Sequence, residues 1–187
     1  MQQRRRRRGI TIGLLSLSLL AEVALMTIPA QAATSNGPYY AEPAWDQKLP
    51  AATRFIILTD WSSAAVLDRE TGLVWEQAPQ TATATWWIAR LVCTGKTTGG
   101  RKGWRLPSVH ELASLIDPSV ASPGPVLPVG HPFTNVLPAD YWSASSIAET
   151  STFAWLVGFD GGVVGDYNTT LPRQVWCVRG GMNAEAY

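Results

Sequence analysis

The chain has 187 residues, of which 46% are hydrophobic, with 15 Lys+Arg against 14 Asp+Glu. That is the makeup of a globular protein with enough material for one sizeable core. The basic side chains are unevenly spread: residues 1–32 hold five Arg and one Glu, and without them 10 basic face 13 acidic groups, a net charge of −3. A mildly acidic body lacks the sustained basic face that nucleic-acid binding needs, so that class is set aside.

Arg4 to Arg8 followed by the apolar run Gly9 to Leu20 and by Ala30-Gln31-Ala32 has the three parts of a secretory signal, with cleavage expected before Ala33. The competing reading is a retained membrane anchor. Glu22 argues against it, because a charge in mid-span is costly. Export to the periplasm or the medium is therefore expected, with no membrane span in the remaining chain.

Ala33 to Thr53 is rich in Ala, Pro and polar residues and is expected to be a linker or extended arm. The domain is expected over 54–181, starting with a short β-type run from Arg54 to Leu58. "AAVLDRETGLVWEQ" predicts strand, turn and strand, with the turn at Asp68 to Gly72. In "TATWWIARLVCTG", Ala84, Trp87, Ile88 and Leu91 fall at helical spacing, and Gly95 supplies a stop. In "GWRLPSVHELASLID", Ser108-Val109-His110-Glu111 fits a capping box, and Leu112, Leu115 and Ile116 form the stripe to be buried. Glu111 thereby has a structural role, and His110 is expected to face solvent. Ala121 to Pro138 predicts a long irregular loop. A strand begins at Tyr141, and "FAWLVGFDGGVVGDY" predicts a hairpin with Phe153, Trp155, Val157 and Phe159 on one face and a tight Asp160-Gly161 turn. "QVWCVRG" predicts a terminal strand, and residues 182–187 a loose tail.

The two cysteines, Cys93 and Cys177, both follow the leader, and an exported chain with one such pair suggests a disulfide. Two free thiols or a redox pair is the alternative, with no Cys-x-x-Cys motif to favour it.

The pieces "VLDRETGLVW", "WWIARLVC", "GWRLPSVHELASLID", "YWSAS", "FAWLVGFDGG" and "VWCVRG", spread from Ala64 to Gly181, resemble the C-terminal domain of Legionella collagen-like adhesins. The resemblance implies an α+β, C-type-lectin-like fold, in which two helices pack on a small antiparallel sheet and the terminal strands pair. It also implies a long disulfide from the first helix to the last strand, where Cys93 and Cys177 fall.

The calcium-binding tripeptides of that lectin fold (Glu-Pro-Asn, Gln-Pro-Asp, Trp-Asn-Asp) do not occur, and the Ser146 to Thr152 connection is too short to wrap a calcium ion with 6–8 oxygens. "WRLP" also resembles the formylglycine-generating enzymes of the same fold, which need a reactive cysteine pair that a bridge would consume. His110 and His131 stand without a ligand pattern around them. Asn168-Thr169-Thr170 is a glycosylation sequon, meaningful only in a eukaryotic secretory pathway, whereas the resembled family is bacterial. Lys96, Arg101, Lys102 and Arg105 make a basic loop that could hold a sulfated polysaccharide. The candidate ligand contacts are Asp160, Asp166, Tyr167 and Asn168 around the hairpin, with Arg101 and Lys102 in the basic loop. No catalytic residue, metal or cofactor is expected. The expected function is calcium-independent, non-enzymatic binding of a polysaccharide or an extracellular protein. The alternative is an enzyme related to the formylglycine-generating oxidases, or another enzyme of the same fold whose site the sequence hides.

Overall fold

The computed structural model describes residues 49–148 and 150–180. The leader, most of the arm, Glu149 and the tail lie outside the described residues. The fold is α+β, with two five-stranded sheets. Helical turn α1 (Ala51–Arg54) leads into β1 (Phe55–Ile57), β2 (Ala65–Asp68) and β3 (Val74–Glu76). Next come β4 (Gln80–Ala84), helix α2 (Trp86–Gly95), β5 (Trp104–Arg105) and helix α3 (Val109–Ala113). After an irregular stretch the chain forms β6 (Asp140–Ile147), β7 (Thr150–Gly158), β8 (Val164–Asn168), β9 (Arg173–Val175) and β10 (Val178–Arg179). The first sheet has the order β1-β2-β3-β10-β5 and the second β4-β9-β6-β7-β8.

The β2–β3 turn forms because Asp68 organises it. Its carboxylate accepts from the Glu70 amide at 3.0 Å and from Thr71 Oγ1 at 3.0 Å, and Gly72 closes the turn at φ 70°. Asp68 is itself fully buried, so it needs a counterion. Arg54 of α1 supplies one, donating through Nε and Nη2 to the two Asp68 oxygens at 2.9 and 2.8 Å, and pairing through Nη1 with buried Glu70 at 2.9 Å. Ala51, within the segment expected as an arm, joins the core beside this network.

The capping box at α3 is present. Ser108 Oγ accepts from the Glu111 amide at 3.2 Å, and Glu111 Oε2 accepts from the Ser108 amide at 2.8 Å. Arg105 adds a two-pronged clamp on the same carboxylate, with both bonds at 2.6 Å. Ser108→Ala is expected to lower stability by about 0.5–2 kcal/mol, whereas His110→Ala, at an exposed position, leaves it within about 0.5 kcal/mol. Denaturant midpoints check both, and a larger loss from His110→Ala would contradict this account of the helix.

Several expectations are corrected. Trp87, Ile88 and Leu91 are 58%, 50% and 66% exposed, and α2 instead buries Trp86, Ala89 and Cys93. Helical spacing identifies residues that share a face without saying which face is covered. Here the Trp86 indole donates to Ser143 O at 2.7 Å and Cys93 is bonded to Cys177, which turns that side inward.

The hairpin connection is wider than an Asp-Gly pair. The Gly158 amide donates to Val163 O at 2.8 Å, leaving Phe159 to Gly162 as the loop, with Gly162 at φ 76°. β7 is also covered on both sides. Val157 and Phe159 join one core cluster and Ala154 and Leu156 the other, while Phe153 and Trp155 are only half-buried.

The terminal strand is two strands. β9 lies in the second sheet, partly in parallel with β6 (Tyr141 opposite Gln174), and Trp176-Cys177 carry the chain across so that β10 enters the first sheet between β3 and β5. The terminal strands accordingly do not pair with each other: β2 and β3 separate β1 from β10.

This crossing organises the core. Trp176 meets Trp75, Phe133, Tyr141 and Phe159 in tilted or edge-on ring contacts. Its indole donates to Glu76 O at 2.9 Å. The second cluster gathers Trp86, Trp104, Trp142 and the disulfide. The bridge spans 84 residues, with the Cα atoms 5.4 Å apart.

Candidate functional site

Of the hairpin candidates, Asp160 stands apart from Asp166, Tyr167 and Asn168, which follow one another on β8. Asp160 lies in the β7–β8 loop, and Asn168 ends the far side of β8, which spans about 13 Å at 3.3 Å per residue. Tyr167 is occupied by the Arg173 guanidinium, 3.7 Å from its ring centre, and Arg173 also donates to Asp140 at 3.1 Å. Asn168 Oδ1 accepts from the amide and hydroxyl of Thr170 at 3.0 and 2.7 Å. Among the described residues no group of three His, Cys, Asp or Glu is placed to hold a metal ion. His131 is held by its surroundings: its ring stacks on Phe133, Nδ1 accepts from the Phe133 amide at 3.2 Å, and burial lowers its pKa.

The basic loop is sorted by its neighbours. Lys96 is paired with buried Glu76 at 2.9 Å, and Arg105 with Glu111. These two cations are spent on the frame. Arg101 and Lys102 remain exposed and, among the described residues, form no ion pair within 4 Å.

Their positions are fixed from below. The Trp104 indole donates to Arg101 O at 2.9 Å and Thr98 O at 3.2 Å, anchoring the loop to β5. Arg179 of β10 donates through Nε to Lys102 O at 2.8 Å, adding a third cation that the sequence reading does not single out. Arg101 and Arg179 each place their guanidinium carbon 5.5 Å from the Trp61 ring centre, and Trp61 meets Trp104 edge-on. The loop approaches so closely because Gly99 has no side chain: a Cβ there would lie 2.7 Å from that of Trp61. Asp60 is exposed beside this group and forms no ion pair within 4 Å among the described residues.

The result is a cationic surface, exposed Arg101 and Lys102 with half-buried Arg179, built around a half-buried Trp61. One sequence signal was available for it. No Asp or Glu occurs from residue 77 to residue 110, while Arg90, Lys96, Arg101, Lys102 and Arg105 do. The same acid-free segment carries the exposed ridge of α2, where the Arg90 guanidinium lies 4.8 and 5.7 Å from the Trp86 and Trp87 rings.

The Lcl C-terminal domain family matches residues 64–179, well over half of the chain. The chain belongs to this family. No curated protein gives a match. The Lcl C-terminal domain match takes in Arg101, Lys102 and Arg179 and starts just after Trp61. The family is associated with collagen-like adhesins and not with enzymes. Both thiols of this Lcl C-terminal domain are taken up by the bridge, so the cysteine pair of the formylglycine-generating chemistry is not available in it.

Proposed function

We propose that the domain is an exported, non-enzymatic adhesion module on a C-type-lectin-like scaffold, and that it binds an anionic polysaccharide through Arg101, Lys102 and Arg179 without calcium. The observation that carries this reading is a set of three cations that form no ion pair within 4 Å among the described residues. The Arg101 and Arg179 guanidinium groups lie by Trp61, and the backbone of the loop is held by Trp104 and Arg179. Pre-positioned cations bind sulfate or carboxylate groups without first breaking an ion pair of their own. Membership in an adhesin-associated family and a buried disulfide support binding outside the cytoplasm. The exposed Trp87, Ile88 and Leu91 favour an extracellular protein as the second reading, since a patch of this kind is a usual feature of protein interfaces.

The test is an array of sulfated, carboxylated and neutral glycans probed with and without calcium. Binding is expected on the sulfated set, unchanged by chelation and lowered by about tenfold for each of Arg101→Ala and Arg179→Ala, or about 1.4 kcal/mol apiece. Binding confined to neutral sugars would overturn the proposal.

Calcium has its own check. A ligand at a hundredfold excess over Kd stabilises by about 2.7 kcal/mol, so a lectin-type site would raise Tm by several degrees in millimolar calcium. No rise is expected beyond a matched salt control. A calcium-specific rise lost in Asp166→Ala would contradict the calcium-independent reading.

A further inference from the structure

We propose that Asn168 is an N-glycan acceptor of the type recognised through a carboxylate two residues upstream, with Asp166-Tyr167-Asn168-Thr169-Thr170 as the recognised unit. The proposal depends on the export reading above, because the glycan donor is met during or after translocation.

Of the four asparagines, 36, 135, 168 and 183, only Asn168 is followed by x-Ser/Thr. The same Asn has an acid at the second residue before it. Asp166 removes the restriction to a eukaryotic pathway, because an oligosaccharyl transferase that uses a cationic contact to grip an acid at this position accepts a longer sequon. Side chains two apart on a strand share a face, which puts Asp166 and Asn168 on the same side of β8. Asp166 is exposed and forms no ion pair within 4 Å among the described residues, so its carboxylate is open to such a contact.

The local geometry suits the acceptor. Thr170 donates both its hydroxyl and its amide to Asn168 Oδ1, at 2.7 and 3.0 Å. Among the described residues no acceptor takes a hydrogen bond from Nδ2, so the nitrogen that must bond to the sugar is not tied to the protein. Among the described residues β8 is the outer strand of its sheet and pairs only with β7. Thr169 is buried and bonded twice to Thr152 O, at 2.9 and 3.2 Å. The enzyme therefore meets the segment before β8 docks on β7, or when that edge opens.

The donor class is a glycan joined through its anomeric carbon to a polyprenyl diphosphate. The Asn168 Nδ2–C1 bond forms as the C1–O bond to phosphate breaks. The amide gives up one proton, and polyprenyl diphosphate leaves with the electron pair. A glycan at this edge would also obstruct strand addition by a second chain.

The experiment produces the full chain in bacteria that carry an acid-requiring oligosaccharyl transferase and its lipid-linked glycan, beside a known acceptor protein as control. Intact mass and peptide mapping are the readouts. One glycan is expected on the wild type, mapped to residues 166–170. It should be absent from Asn168→Gln and Thr170→Ala, retained in Thr170→Ser, and reduced at least tenfold in Asp166→Asn. Equal modification of wild type and Asp166→Asn would overturn the acid-dependent reading. An unmodified chain that has lost its leader, beside a modified control, would overturn the acceptor alone. An unmodified chain that keeps its leader would overturn the proposal together with export.

Discussion

Arg54→Ala is expected to destabilise the domain by about 3–5 kcal/mol, as removal of one partner from a buried ion network does. Asp68 is fully buried and Glu70 is 4% exposed, and the Arg54 guanidinium is the cation paired with both. Its Nη2 also donates to Ser114 O at 2.9 Å, which ties α1 to the end of α3. Removing the arginine takes the cation from two buried carboxylates, leaves Asp68 with the neutral donors of Glu70 N and Thr71 Oγ1, and loosens the turn that Asp68 organises. The triple variant Arg54→Met, Asp68→Asn, Glu70→Gln should recover part of the loss, because no buried charge is left unpaired. Denaturant titration of the two variants checks this, and a loss below about 1 kcal/mol in Arg54→Ala would contradict the network's role.

The bridge is the second large term. Replacing both Cys93 and Cys177 by alanine should cost about 2–5 kcal/mol, and the bridge's 84-residue span puts it among the long loops, whose closure carries the greatest entropy. Its position adds to this. Cys177 sits where the chain passes from β9 to β10, and its amide donates to buried Glu76, which Lys96 and Thr98 hold from the α2 side at 2.9 and 2.8 Å. Release of the bridge should loosen that crossing first. The wild type should lose stability in reductant and the alanine pair should not. Free thiols at both positions in exported material would contradict the bridge outright.

What was legible in the sequence was local. The capping box at Ser108–Glu111 and the turn at Asp68–Gly72 involve residues within four positions of each other, and their chemistry is visible in the string. The inward face of α2 was not, because two apolar stripes compete on one helix and the winner is chosen by Ser143 and Cys177, both distant in sequence. "QVWCVRG" concealed a change of sheet for the same reason. Its β-type residues suit either sheet, and the partners on each side decide. Of the candidate site, Arg101 and Lys102 were found from their charge. Arg179 and Trp61 were missed, since only the β5–β10 pairing and the loop at Gly99 bring them to those cations. Of the hairpin quartet, β8 carries Asp166, Tyr167 and Asn168 in succession, and Asp160 lies in the loop at the strand's other end.

The central claim is an electrostatic binding surface at Arg101, Lys102 and Arg179, and the most direct test is the salt dependence of binding to a sulfated polysaccharide. Affinity for the wild type should fall steeply between about 0.05 and 0.5 M salt, as exposed charges are screened over shorter distances. The charge-reversed pair Arg101→Glu, Arg179→Glu should bind at neither concentration while still unfolding in a single cooperative denaturant transition. Tight binding that ignores salt and survives the charge reversal would contradict the account.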